Sequence, residues 1–199
     1  LDVRADLAID HAGDAWKAAG TIYVQTDRAD VARLRSHLPL PDTLKSATGG
    51  LRLWLEVEPG RVREVVADLD LRGVRAQLAQ DALPLDLDSL AGRVVYRAEE
   101  GGFHAGTEGL HFRTASGLQA AAGVFSLTLG RDAKGAARGE VRADGIDLKI
   151  AAALLDYLPV PRESKAQVLR FAPRGRLLGS TLVWSGESPA KATTLSVKA

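Results

Sequence analysis

Along most of its length the chain alternates apolar and polar residues one by one, the mark of strands with one dry face and one wet face. From Leu1 to Asp10 every odd position is apolar, and the even ones are charged except Ala8. Leu51, Leu53, Leu55 and Val57 alternate with Arg52, Trp54, Glu56 and Glu58 in the same way. Val94, Tyr96 and Ala98 oppose Arg93, Val95 and Arg97, while Leu110, Phe112 and Thr114 oppose His111 and Arg113. Roughly eleven such runs can be read, by the period-two rule, separated by turn signals such as Glu58-Pro59-Gly60 and Glu100-Gly101-Gly102. Connections this short favour antiparallel hairpins over βαβ crossovers.

Helical spacing is confined to two places. Asp30 to Leu38 carries Val31, Leu34 and Leu38 and stops at Pro39; Asp147 to Leu158 carries Ile150, Leu154, Leu155 and Leu158 and stops at Pro159. A second short helix is expected after each, over Asp42 to Ala47 and Glu163 to Phe171. The two interruptions resemble each other. Leu38-Pro39-Leu40-Pro41 is answered 120 positions later by Leu158-Pro159-Val160-Pro161, and each is followed by a Gly-led strand carrying a Trp, Trp54 or Trp184. The expectation is a quasi-repeat of about 120 residues with helical insertions near 28–48 and 147–172, and residues 1–199 as one segment of a longer array.

Composition narrows the function. With 26 Lys+Arg against 25 Asp+Glu the formal charge is +1, which gives no global attraction for nucleic acid. The longest apolar run, Ile150 to Leu155, is too short to span a bilayer. There is no Cys, which excludes disulfides, thiolate metal sites and Cys nucleophiles. There is no Met either, so the expectation is a piece of a longer protein whose leader or anchor lies elsewhere. His11, His37, His104 and His111 are scattered without ligand spacing, and no nucleophile elbow or phosphate-binding loop occurs. The acid pairs Asp68/Asp70 and Asp86/Asp88 read as wet-face residues rather than a catalytic dyad. Catalytic residues, metal ligands and cofactors are therefore all expected to be absent.

The apolar faces are the functional candidate. Periodicity alone fits the core of an ordinary sandwich or barrel, but the inward residues are mostly small or modest, and the quasi-repeat suits an extended form. Between Arg162 and Arg176 stand five basic residues against one acid. They read either as a solvated helix face and loop or as contacts for a phosphate head group, with Arg170, Arg174 and Arg176 the candidates. Trp54 and Trp184 are expected to clamp the helices onto the sheet.

Several stretches, taken in order, resemble the YhdP family of AsmA-like envelope proteins of Gram-negative bacteria. They are Gly20-Thr21-Ile22-Tyr23-Val24-Gln25, the Leu-Pro-Leu-Pro segment with Gly50 to Leu55, Leu83-Pro84-Leu85-Asp86 through Gly92, Ile146-Asp147-Leu148 to Pro161, Ala172 to Leu177, and Trp184-Ser185-Gly186. The resemblance implies a mainly β fold, a long twisted antiparallel sheet curled into a hydrophobic groove with short helices at the two Leu-Pro segments. It also implies a noncatalytic conduit that guides phospholipid acyl chains between inner and outer membranes. On that reading Leu51, Leu53, Leu55, Val57, Val94, Tyr96, Leu110 and Phe112 line the groove. The chain would be a periplasmic segment of an inner-membrane-anchored protein, with phospholipids and envelope proteins as partners and no nucleic acid. The alternative is a structural scaffold of the envelope without bound lipid.

Overall fold

A computed structural model describes residues 1–12, 15–34, 43–78, 82–132, 135–158, 162–186 and 192–198. In chain order the elements are β1 (Asp2–Ala12), β2 (Ala15–Asp30), α1 (Val31–Leu34), β3 (Leu44–Glu58), β4 (Arg61–Ala76), β5 (Leu85–Glu99), β6 (Gly102–Thr114), β7 (Gln119–Arg131) and β8 (Ala137–Asp144). There follow β9 (Ile146–Asp147), α2 (Leu148–Leu154), a 3₁₀ turn (Leu155–Tyr157), α3 (Arg162–Phe171), β10 (Arg176–Leu177), β11 (Ser180–Ser185) and β12 (Thr194–Lys198). Ten strands form one antiparallel sheet in the order β1-β2-β3-β4-β5-β6-β7-β8-β11-β12, open at both edges, and β9 and β10 pair as a small separate ribbon. The protein is mainly β, as the alternation predicts.

Register decides what this sheet presents. Directly paired residues in an antiparallel ladder share a face. The partners Ala5, Ile22, Leu55, Val65, Tyr96, Ala105, Leu127, Val141, Leu182 and Val197 make one row across all ten strands without a charge. The adjacent row, on the opposite face, is polar at nearly every strand: it includes Asp6, Glu56, Glu64, Arg97, His104 and Glu140. One face is apolar from edge to edge.

Little covers that face. The accessible surface is 13233 Å², against about 9,000 Å² for a compact globule of this mass. The buried cluster Val31, Ala47, Leu71, Val74 and Leu87, with Leu69, Leu90 and Phe112 beside it, lies at one rim, where α1 packs on β3. That rim carries the connections 31–43, 77–84 and 145–179 and with them all the described helices, while the other rim has two-residue turns at Pro59-Gly60 and Glu100-Gly101.

The helices follow their local signals. The Asp147 carboxylate caps α2, accepting from the Lys149 and Ile150 N–H groups at 2.9 and 3.1 Å. The Leu83 N–H donates to the Asp156 carbonyl at 3.0 Å, tying the far end of this segment to the β4–β5 connection. Two expectations need correction. Leu44 to Ala47 is strand, not helix, because pairing with β4 carries Ala47 into the rim cluster. Leu154 and Leu158 are half-buried rather than buried. The side chain of Leu34, and Leu38 with both Leu-Pro motifs beyond their first residues, lie outside the described set, apart from Leu158 itself.

Irregularities bend the ladder. The register slips at bulges in β2–β3, β3–β4, β5–β6 and β6–β7, and bulges increase twist and bend the strand that holds them. Gly92 sits at the β5–β6 slip with φ +132°, and a Cβ there would fall 2.6 Å from the Leu110 Cα. Only glycine tolerates that approach.

On the polar face, ion pairs cross the strands. Arg93 Nε donates to the Asp68 carboxylate at 2.6 Å and Arg97 to Glu64 at 2.7 Å; within β8, Arg142 pairs with Glu140 two positions away. The hydrogen bond from Arg93 holds the Asp68 carboxyl below the usual carboxylate range. Because its folded value is the depressed one, the pair stabilises the fold at pH values above about 3.9 and loses that contribution as pH falls through the folded value.

Two outcomes follow from this packing. Gly92→Val is expected to cost about 3 kcal/mol, combining backbone strain with a backbone clash, measured by urea unfolding. Asp68→Asn is expected to lower Tm by about 1–2 °C at pH 7, the size of a surface pair, with the difference closing as pH falls through the depressed folded value.

Candidate functional site: the apolar face

The side chains singled out for a lining role come from three strands, β3, β5 and β6, with β4 lying between β3 and β5 in the ladder. Leu53 pairs with Ala67, which pairs with Val94; Leu55 pairs with Val65, which pairs with Tyr96. Leu51 and Val57 extend the same β3 face in each direction, and Leu110 and Phe112 take the corresponding positions on β6. The eight residues thus share the apolar face. None is buried: seven are half-buried, and Tyr96 is 38% exposed and stacks on Phe103 with ring centroids 5.8 Å apart. Phe112 differs from the others because it also touches the rim cluster.

Sequence reasoning passed over several neighbours in the same rows. Phe125, 40% exposed, pairs with Thr107 and Ala143, and Leu127 joins Ala105 to Val141. Their strand, β7, alternates less cleanly, since Ala120, Ala121 and Ala122 stand where a polar partner would mark the wet face. The ladder, rather than the pattern, places them.

Neither Trp holds a helix. Trp54 lies on the polar face, paired with Tyr23 and Val66, its ring centroid 5.3 Å from that of Tyr23. The alternation with Leu53 and Leu55 already required that side. Trp184 is on the apolar face but at the rim with the tight turns, and its indole occupies the space over Gly139 where a Cβ would stand. It is buried at the rim opposite the one that carries the described helices.

The basic candidates Arg170, Arg174 and Arg176 are all exposed, on or just after α3. α3 also exposes Leu169 and Phe171, the latter at 84%. Arg176 alone of the three comes back to the sheet, donating to the Gly145 carbonyl at 3.2 Å.

The polar groups form no reactive set among the described residues. His104 Nδ1 shares a hydrogen bond with Thr128 Oγ1 at 2.9 Å, and His111 Nδ1 donates to the Gly109 carbonyl at 3.0 Å. Asp68 is held by Arg93, and Asp86 lies 3.2 Å from Arg75. No group of three His, Asp or Glu side chains converges as a metal site among the described residues. His11 and His37 fall where no side chain is described. No described helix is long and apolar enough to cross a membrane.

Comparison with curated proteins and with solved structures returns no match. A family model described as YhdP protein matches residues 1–199, the full length of the sequence. An open apolar-faced sheet carrying the phrases quoted above is thus matched from end to end, and the chain belongs to the YhdP family.

Proposed function

We propose that the apolar face is a noncatalytic conduit for phospholipid acyl chains, in a periplasmic segment of an inner-membrane-anchored protein that serves transfer between inner and outer membranes. One observation carries this reading: a charge-free row runs across all ten strands while its side chains stay half-exposed. A soluble chain rarely leaves contiguous apolar surface of that extent open without an occupant. Each methylene laid on such a face leaves water with a gain of about 0.8 kcal/mol, so a tail could slide from row to row without crossing water. Leu51, Leu53, Leu55, Val57, Val94, Tyr96, Leu110 and Phe112 would contact the tail, and Arg170, Arg174 and Arg176 at the helical rim would meet phosphate head groups. Family membership supports an envelope role of this kind.

The scaffold reading has one observation in its favour. β12 is exposed at every residue and, among the described residues, pairs with β11 alone, so its outer side can take a partner strand.

Substitution separates the two. Leu53→Asp and Tyr96→Asp put a charge on the strip beside open solvent, so the fold should survive with Tm lowered by a few degrees, about 1–2 kcal/mol of stability. A conduit should nevertheless lose photo-crosslinking of phospholipid from probes at neighbouring Val94 and Leu55, because a lone charge among acyl chains costs several kcal/mol. Absence of lipid crosslinks in the parent protein would leave the scaffold reading.

A further inference from the structure

Between α2 and the sheet lies a cavity of about 340 Å³, within the range of small-ligand sites. Phe112 of β6 and Ala120 of β7 form one wall, and Ile150, Ala151 and Leu154 of α2 form the wall facing them. The β9–β10 ribbon supplies Ile146 and Arg176.

This space differs from a packing fault. No residue of α2 is buried, although its sequence, Leu-Lys-Ile-Ala-Ala-Ala-Leu, is almost wholly apolar. The segment is held by polar links at its ends instead: the Asp147 cap, the Leu148 N–H donating to the Gly175 carbonyl at 2.9 Å, and the Leu83 N–H donating to the Asp156 carbonyl. A helix suspended in this way keeps its apolar side chains off the strands. An unfilled apolar gap forfeits dispersion contacts on every wall, and water inside it would find few polar partners.

The chemistry of the ribbon wall defines the head of an occupant. Arg176 and Asp147 are direct partners in the β9–β10 ladder, yet the Asp147 carboxylate is engaged by the Lys149 and Ile150 N–H groups. Arg176 donates to the Gly145 carbonyl and meets no carboxylate among the described residues. A guanidinium has five N–H donors in a fork suited to carboxylate or phosphate. Most of that fork is unused here.

We propose that this cavity binds one acyl chain bearing an anionic head, with the chain beneath α2 and the head at Arg176. The site deepens the conduit reading and rests on it: Phe112 belongs both to the cavity wall and to the apolar face. A chain held there branches from the open strip. With Asp147 on the same wall, affinity comes mainly from the chain, and Arg176 fixes which end points outward.

The test uses the intact chain with two diazirine-labelled probes, a C16 fatty acid and a phosphatidylglycerol, and maps adducts by peptide mass spectrometry. Adducts on Ile150, Ala151, Leu154 or Ala120 are expected from one probe or both. Label from the fatty acid alone identifies a carboxylate head, and label from phosphatidylglycerol a phosphate head. Ala151→Phe should reduce these adducts at least tenfold while leaving those on Leu53 and Tyr96; Ala120→Leu fills the same space from the strand side should the first variant fail to fold. Arg176→Gln should weaken labelling about fivefold, with Arg176→Lys restoring part of it. Adducts confined to the Leu53–Tyr96 strip would overturn this site and leave the conduit standing. Cavity adducts indifferent to all three positions would also overturn it. Absence of adducts anywhere on the chain would overturn both readings together.

Discussion

Hydrogen-bonded register is the constraint on which the rest of the molecule depends. A ladder of ten strands paired in sequence, with alternation kept in phase from each strand to the next, must gather its apolar residues on one side. A slip of one residue in β1 or β8, in either direction, would put an acid or an arginine into the apolar row. The cross-strand pairs Arg93–Asp68 and Arg97–Glu64 oppose such slips from the polar face, since each fits one register only. Their stability contribution is small at this exposure. Their value lies in specifying alignment.

A sheet so aligned ordinarily hides its apolar side under a second layer. Among the described residues the second layer is confined to a rim: α1 with its small cluster, and α2 suspended by its end contacts. The apolar energy that would close a sandwich is therefore available to another molecule. This links the large accessible surface to the proposed role more directly than any single side chain does.

Much of this was legible because period-two alternation reports on one residue at a time. Leu51 to Val57 and Val94 to Ala98 declare their faces without knowledge of their neighbours. Trp54 follows the phase of its own strand to the polar face, and its aromatic size does not override that phase. The stretch from Asp42 to Ala47 was too short for periodicity to separate helix from strand, and the ladder from Leu44 onward decided it. Three features depend on pairings distant in sequence and had no local signal. These are the two-residue ribbon of Ile146–Asp147 with Arg176–Leu177, the seating of Trp184 over Gly139, and the gap beneath α2. A helix from Asp147 was visible in the spacing; where it comes to rest was not.

Pairing in this sheet is almost wholly between strands adjacent in the chain, with the β8–β11 junction the one place where a longer excursion intervenes. Among the described residues no strand closes the sheet, so its girth is not fixed. Inserting or deleting one hairpin would change its length by about 10 Å, two strand spacings, and leave the cross-section unchanged. Growth by hairpins is thus decoupled from the lip where the helices sit. The same locality lets each hairpin zip onto its predecessor as the polypeptide emerges, without waiting for distant segments to arrive. Reach, in a molecule built this way, is a property evolution can adjust by counting turns.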